Sequence, residues 1–342
     1  MLYFPPVRSS RHVLPVWAAL LAAVAVGSLF LGRYPAGRLS FVSPALFFQD
    51  AMTCKLVLNL RLPRILMAAF LGMSLASGGA VMQRLFRNPL VDPGFLGVSG
   101  GAAFGAGLAL LCGAGSALVL EGSAALFALL GLAASCLLAR RIRIGGWVLR
   151  LVLSGIVVSA FFSAALGLLK TWADPLKVLP ELTFWLLGGL WGVTWADVSR
   201  AWPVVLPALA LLWAMRWRTA VLALDDRTLF SLGLRGTAER LLVLFAASVA
   251  VAATVAVCGA VGWLGLIVPH VARRMPGTDA RNLLPVAMLL GGILGILCDD
   301  IARTLAPAEI PVGILTSLLG ASVFLALLLR SRPRAVDGGE AA

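Results

Sequence analysis

The side chains that could do chemistry in this 342-residue sequence are few, and most stand beside long apolar runs. Arg61 and Arg64 flank Pro63 just before one such run, and Arg303 follows another. A guanidinium group is a planar fork that grips a carboxylate at two points, so these arginines could form a cationic rim that docks an acidic partner. The alternative is that they anchor helix ends by extending their charged heads towards water.

Signatures of catalysis are missing. The Gly-x-x-x-x-Gly-Lys-Ser/Thr motif does not occur, because Lys170–Thr171 lacks the glycines, so we expect no ATP site in this chain. There are only two histidines, and no nucleophile, base and orienting acid suggest themselves. The cysteines lack metal-site spacing and are interpreted as small hydrophobic residues. They are Cys54, Cys112, Cys136, Cys258 and Cys298. We expect neither an enzyme nor a metal site.

Polar residues also interrupt or end two apolar runs. Pro269 and His270 lie within a short stretch at 261–272. His270 could be a ligand or a proton carrier, but a histidine beside a proline more often satisfies the carbonyl groups that the proline frees. Asp299 and Asp300 close a later run. An acid there is a functional candidate, although an ion pair with the nearby Arg303 on the same helix is the simpler account.

A long segment at 216–242 mixes charges with apolar residues. Its pattern predicts a short amphipathic helix, a turn at Gly233 and the start of another apolar run. The apolar residues of interest are Leu222, Leu224, Leu229, Phe230 and Leu232. A solvated linker would not need the last three exposed together. We therefore expect a patch that rests on the membrane surface or inserts into a groove of another protein, and we favour the protein partner.

The composition indicates which elements must position these residues. The chain is 61% hydrophobic and 13% charged, with a mean hydropathy of +0.98, whereas a soluble domain needs more charge to cover its surface. Apolar runs of about 20 residues match a bilayer core. We expect an all-α, polytopic transmembrane bundle of about ten crossings, one of them short or broken, and an interfacial helix near Glu181–Trp191. The predicted crossings are 14–32, 63–82, 95–112, 118–138, 148–170, 199–215, 240–259, 261–272, 283–302 and 312–330.

The basic residues predict how these crossings are oriented. The net charge is +13, and 19 of the 28 Lys and Arg residues fall on the side of the N-terminus when ten crossings are counted. Because positive charge concentrates in cytoplasmic loops, we expect both termini in the cytoplasm. The tails would be 1–13 and 331–342, around a membrane domain at 14–330. The charge is then topogenic, and we expect membrane lipid but no nucleic acid as a partner.

Small residues at helical spacing predict close packing between helices. Gly97, Gly101 and Gly105 recur at intervals of four, which gives one smooth stripe on which a neighbouring backbone can sit. Packing alone is the simpler interpretation. The alternative is that the stripe lines a translocation cavity.

Three blocks together resemble the permease subunits of iron-siderophore, haem and vitamin B12 ABC importers, the FecCD-type family. The blocks are LRLPR with GAVMQ…NPLVDPGFLGVSGGA at 60–102, GWLGLIVPH…R…G at 262–277 and CDDIAR…EIPVGILTSLLGASVFLALLL at 298–329. One departure is Ser322, which follows Gly320–Ala321 where the family usually has proline. The family-motif and translocation positions are Gln83, Asn88, Pro89, Gly97, Gly100, Gly101, Pro269, His270, Asp299, Glu309, Pro311 and Gly313.

The resemblance implies a set of partners in a bacterial inner membrane. A second permease subunit, preferably a copy of this chain, would complete the pathway, and two cytoplasmic ABC ATPase subunits would hold ATP–Mg, so this chain itself needs no cofactor. A periplasmic or lipid-anchored binding protein would present acidic residues to Arg61, Arg64 and Arg303. Within a cytoplasmic loop at about 216–240, the segment Leu222–Gly236 would insert into the ATPase cleft.

The resemblance also implies uptake by alternating access, with a siderophore, haem or cobalamin as cargo and iron chelates favoured as the commonest. The alternative function is a secondary transporter driven by an ion gradient. Such a protein would want acids deep within a crossing, whereas the acids of this chain lie at the ends of apolar runs and in loops.

Overall fold

A computed structural model describes residues 13–32, 40–41, 44–234, 236–275, 281–306 and 308–330. The predicted tails fall outside these residues, apart from Val13. The helices are α1 (Val13–Phe30), α2 (Pro44–Gln49), α3 (Ala51–Leu56), α4 (Leu62–Leu85), α5 (Val98–Leu111), α6 (Ala117–Arg141), α7 (Trp147–Trp172), α8 (Val178–Leu187), α9 (Trp195–Ala214), α10 (Arg216–Val221), α11 (Asp226–Ser231), α12 (Gly236–Cys258), α13 (Leu264–Ala272), α14 (Leu283–Thr304) and α15 (Val312–Arg330). A π-helical turn, Val57–Arg61, joins α3 to α4, and within the described residues the strands are one antiparallel pair, β1 (Leu31–Gly32) and β2 (Ser40–Phe41).

The prediction of an all-α polytopic bundle is confirmed. Six helices of the described chain are long and apolar enough to cross a membrane, counting α3 to α4 as one: 13–30, 51–85, 117–141, 147–172, 236–258 and 283–304. The predicted crossing at 63–82 starts too late, because α3 and the π-helical turn extend α4 backwards to Ala51. The short stretch at 261–272 forms α13, whose nine residues rise about 13 Å, less than half of a bilayer core.

The centre of the bundle is a pair of helices in backbone contact. Helices α4 and α14 pack along much of their length, and at Gly72 and Gly291 each backbone fills the space where the other residue would carry a Cβ atom. Gly295 meets the carbonyl of Ala68 in the same way. Because such an approach leaves no room for a side chain, these glycines fix both the spacing and the register of the pair.

The glycine stripe on α5 is also a packing surface. A Cβ atom at Gly101 would strike the carbonyl of Phe127 on α6, and one at Gly105 would lie 2.5 Å from the carbonyl oxygen of Ser123. The Ser123 hydroxyl in turn donates to the carbonyl of Gly105 at 2.7 Å. The simpler of the two predicted roles, close packing, is the one that the structure shows for these two glycines.

Candidate functional site

Gln83, near the end of α4, forms hydrogen bonds to the short helix α13, which contains Pro269. Pro269 has no backbone N–H, so the carbonyl of Gly265, four residues earlier, loses its usual helical partner. The Gln83 amide supplies the missing donor, with Nε2 at 3.3 Å from the oxygen of Gly265 and at 3.0 Å from that of Leu266. The Arg273 guanidinium donates to Oε1 of the same amide. One buried side chain therefore ties α4 to α13.

His270 does not take this role, contrary to the sequence-based interpretation. Its Nε2 atom is buried and has no hydrogen-bond partner among the described residues. The carbonyl that Pro269 frees belongs to Gly265, and Gln83 reaches it, together with that of Leu266, from the neighbouring helix. The sequence suggests a polar partner beside the proline, whereas the packing of α4 against α13 brings Gln83 from nearly 190 residues away in the chain.

The turn that follows α4 is built by the Asn88–Pro89 motif. The Asn88 side-chain oxygen accepts a hydrogen bond from the Leu90 N–H at 2.9 Å, which makes a tight turn with Pro89 exposed in it. Gly97 then adopts a φ of +81° directly before α5. Gly100, one turn into α5, faces Phe162 of α7. These motif residues position α4, α5 and α7.

The 216–240 loop is folded and fixed to two long helices. Arg240, at the start of α12, donates to the carbonyl of Leu222 at 3.1 Å and to that of Leu224 at 2.7 Å. Arg87, just after α4, donates to the carbonyl of Ala223 at 2.6 Å. These hydrogen bonds fasten the loop to the adjoining ends of α4 and α12.

The apolar residues of this loop divide into an inner and an outer set. Leu222 and Leu229 are buried, with Leu229 only 1% exposed. Phe230 is 85% exposed, and Leu224 and Leu232 are exposed beside it in sequence. The expectation that Leu229, Phe230 and Leu232 are exposed together was wrong for Leu229, because α11 turns that face against the chain. The patch offered to the surroundings is formed by Leu224, Phe230 and Leu232.

Local hydrogen bonds set the two ends of α11. The Asp225 carboxylate accepts the Thr228 N–H at 3.2 Å, and bonding to Thr228 holds the pKa of Asp225 below its usual value. Gly233 adopts a φ of +73° after the helix, which confirms the predicted turn. Leu234 then donates its N–H to the carbonyl of Leu229 at 3.0 Å. Helix α11 is thus capped at both ends.

An arginine–carboxylate cluster lies at the opposite end of α4, about 30 Å away by helix length. Its members are Arg61, Arg64, Asp299, Asp300, Arg303 and Glu309. Arg64 grips the buried Asp299 through Nε and Nη2, with the shortest contact at 2.8 Å, and meets both oxygens of Glu309 at 2.9 Å through Nη1. This pair joins the start of α4 to the end of α14.

The rest of the cluster fastens α1. Arg303 pairs with Asp300 and donates to the carbonyl of Ser28 at 2.8 Å, while the Ser28 hydroxyl donates to Asp300 at 2.5 Å. Arg61 donates to the carbonyl of Leu29 at 2.9 Å. The predicted ion pair between α14 acids and Arg303 is confirmed. The docking role of the three arginines stays a prediction, and they offer a cluster of three positive and three negative charges instead of three free cations.

The segment after Glu309 connects this cluster to α8. The carbonyl of Pro311 accepts the N–H groups of Ile314 and Leu315 at 3.1 and 3.3 Å, which starts α15. Gly313 donates its N–H to the carbonyl of Gly188 at 3.2 Å, and a Cβ atom at Gly313 would strike the carbonyl oxygen of Leu187, so there is no space for a side chain. Helix α15 then runs without a break through Ser322, the position of the family proline.

Two further features were not found from the sequence. Glu121 of α6 forms a double hydrogen bond with Arg200 of α9 at 2.8 and 2.9 Å, although Arg200 was counted only as a topogenic charge. A cavity of about 880 Å³ lies between the α5–α6 turn and α8, with Phe184, Trp185 and Trp191 on its wall. The tryptophans of 181–191 did predict an interfacial helix, but a cavity requires the tertiary arrangement.

The described residues contain no group of three or more His, Cys, Asp and Glu side chains that could hold a metal ion. What they do bring together is a bundle of apolar helices with a folded, partly apolar loop at one end of α4 and a charge-balanced cluster at the other. That arrangement suits a multi-pass membrane protein.

Comparisons with known proteins agree with this description. A family model described as the FecCD transport family matches residues 20–330. A Helicobacter pylori protein described as a probable iron chelatin transport system permease protein is 42% identical over 81% of this chain and 83% of its own length. A molybdate import system permease protein of Haemophilus influenzae is 37% identical over 91% of this chain and 93% of its own. A solved metal-chelate type ABC transporter in an inward-facing conformation superposes with a TM-score of 0.86 at 37% identity, covering 94% of this chain and 99% of that one.

Proposed function

This chain belongs to the FecCD transport family, and we propose that it is the permease subunit of an ATP-driven importer that carries an iron chelate across the bacterial inner membrane. The observation that carries the proposal is the match of nearly the whole chain to permease relatives and to a solved ABC transporter. The multi-pass helical bundle agrees with it, because six of the described helices have the length and apolarity of membrane spans.

We propose that the 216–240 loop is the contact with the ATPase subunits, which would hold ATP–Mg and perform hydrolysis. Phe230, with Leu224 and Leu232, offers an exposed apolar patch of the kind that fits a groove on another protein. Arg87 and Arg240 join this loop to α4 and α12. Movement of the ATPase dimer would therefore reach the bundle as a rigid-body displacement of helices.

A second copy of the chain is proposed to complete the pathway, with both termini in the cytoplasm. Closure of the ATPase dimer would rock the two permease subunits so that the pathway opens outward. Cargo would arrive on a binding protein that docks near the arginine–carboxylate cluster, and hydrolysis would reverse the tilt. The long helices α6 and α7 keep many apolar side chains exposed, which lipid or a second subunit would cover.

The cargo is proposed to be a chelate that carries its own metal. The described residues offer no cluster of metal-ligating side chains, whereas a chelator already satisfies the ion and presents an organic surface. Siderophore iron is preferred over haem and cobalamin. The molybdate permease among the relatives makes an oxyanion the comparison that a transport assay must include.

The testing experiment is reconstitution of this chain with its ATPase and its binding protein in lipid vesicles. We expect a complex of two permease and two ATPase subunits whose ATP hydrolysis is stimulated by the loaded binding protein. We also expect uptake of ferric chelate that survives collapse of the proton gradient. A chain that purifies without an ATPase, with uptake that stops when the gradient is removed, would refute the proposal.

A further inference from the structure

We propose that Glu309 is an internal carboxylate that occupies the docking face of Arg64, and that an acidic side chain of the binding protein displaces it. The inference rests on the proposed function, because it takes the partner to be the substrate-binding protein. It assigns to Glu309 a role in partner recognition, where the sequence motif identified only a family position.

The two carboxylates on Arg64 differ in how easily they can leave. Asp299 is 1% exposed and receives both Nε and Nη2 of Arg64 in a forked pair. Removing Arg64 from it would strand a buried charge, so this pair is fixed. Glu309 is 41% exposed and receives Nη1 alone. An exposed ion pair of this kind is weak and screened by salt, so an external carboxylate can take its place.

The charge balance of the cluster favours such an exchange. Three guanidinium groups are balanced by three carboxylates, so an approaching acidic residue meets a neutral surface while Glu309 remains in place. When Glu309 turns away, the cluster gains one positive charge and the Nη1 donors of Arg64 lose their acceptor. Both changes favour a carboxylate from the partner, which Arg64 would grip on the side opposite Asp299.

The position of Glu309 in the chain connects docking to the bundle. The next residue, Ile310, donates its N–H to the carbonyl of Ala302 on α14 at 3.0 Å, and Gly313 donates to that of Gly188 after α8 at 3.2 Å. Release of Glu309 breaks the ion pair that joins this segment to Arg64. The segment that starts α15 would thus respond when the partner's acid replaces Glu309.

The experiment measures the affinity of the purified binding protein for the full permease–ATPase complex in nanodiscs. We expect Glu309→Gln to tighten binding about fivefold, the equivalent of one exposed ion pair that no longer competes, with a steeper salt dependence. Glu181→Gln is the matched control, because Glu181 is an exposed carboxylate on α8 that changes the net charge equally. The control should leave the affinity within about twofold of the parent complex.

The outcomes separate the exchange from the docking site itself. Unchanged or weaker binding by Glu309→Gln, or equal tightening by both variants, would overturn the exchange. Arg64→Lys keeps a positive charge beside Asp299 but loses the fork, so it should weaken binding if Arg64 docks the partner. If Arg64→Lys and Glu309→Gln both bind as the parent does, the docking assignment fails as well, whereas stimulated ATP hydrolysis would leave the importer function intact.

Discussion

The hydrogen bonds between Gln83 and the short helix α13 lead to a quantitative prediction about stability. Gln83 is 3% exposed and donates to the carbonyls of Gly265 and Leu266, while it accepts from Arg273. Hydrogen bonds between membrane helices contribute about 0.6 kcal/mol on average, and an unsatisfied buried acceptor costs about 1–3 kcal/mol. We therefore expect Gln83→Leu to lower the free energy of unfolding by about 2–4 kcal/mol.

A second substitution that restores part of the lost free energy of unfolding tests this explanation. Pro269→Ala restores a backbone N–H four residues after Gly265, so the freed carbonyl gains its helical donor again. In the Gln83→Leu background we expect Pro269→Ala to raise the free energy of unfolding by about 1 kcal/mol. In the parent protein we expect no such gain, because Gln83 already donates to that carbonyl. Gln83→Glu should not behave as the parent does, because a carboxylate can accept from Arg273 but cannot donate.

The assay is unfolding of the purified protein in mild detergent by a denaturing detergent, run as a double-mutant cycle. A coupling energy between positions 83 and 269 of less than about 0.3 kcal/mol would refute the account, because independent sites add to within that margin. A Gln83→Leu protein that is as stable as the parent would also refute the account. Retained ATPase binding through the 216–240 loop serves as the check that each variant is folded.

Three other predictions follow from the structure. Phe230→Asp should weaken ATPase binding at least about 30-fold, as expected for a hot-spot side chain, with Phe230→Leu intermediate. Normal co-purification of the aspartate variant would refute the loop contact, whereas Leu229→Asp should destabilise the loop because Leu229 is buried. Gly101→Ala should lower stability by about 1–3 kcal/mol in thermal unfolding, because the new Cβ atom would meet the Phe127 carbonyl. Gly122→Ala is the control, because a Cβ atom there meets nothing within 4 Å. Equal effects of the two substitutions would refute the packing argument. The pKa of Asp225 is depressed in the folded loop, so its cap is present above the ordinary aspartate pKa and is lost as the pH falls through the lower folded value. Amide exchange at Thr228 should therefore gain an acid-dependent increase that Asp225→Asn lacks, and a parent without that increase would contradict the cap.

The sequence predicted what depends on neighbours along the chain. Apolar runs gave the helices, Gly233 gave the turn, and the spacing of Asp300 and Arg303 on one helix gave their ion pair. It missed what depends on tertiary packing. The pairs Arg64–Asp299 and Gln83–Gly265 join residues that are 235 and 182 positions apart, so nothing local identifies them.

The 216–240 loop illustrates the same limit on a smaller scale. An amphipathic pattern shows that one face of α11 is apolar, but both Leu229 and Phe230 are apolar, and the pattern does not say which packs inward. The choice is made by contacts with the rest of the chain, since a Cβ atom at Gly236 on α12 would meet the Leu229 side chain. A buried leucine and an exposed phenylalanine thus stand side by side.

The contact between Gly72 and Gly291 has a consequence for how the protein is made. About 220 residues separate these glycines, and synthesis at roughly 5–20 residues per second needs about 10–45 s to cover them. During that interval α4 lacks the helix with which it makes backbone contact, and Arg64 lacks Asp299. The centre of the bundle is therefore completed late in synthesis, so a ribosome that stalls before α14 would leave the most buried helix without its backbone-contact partner and with one face open to quality-control proteases.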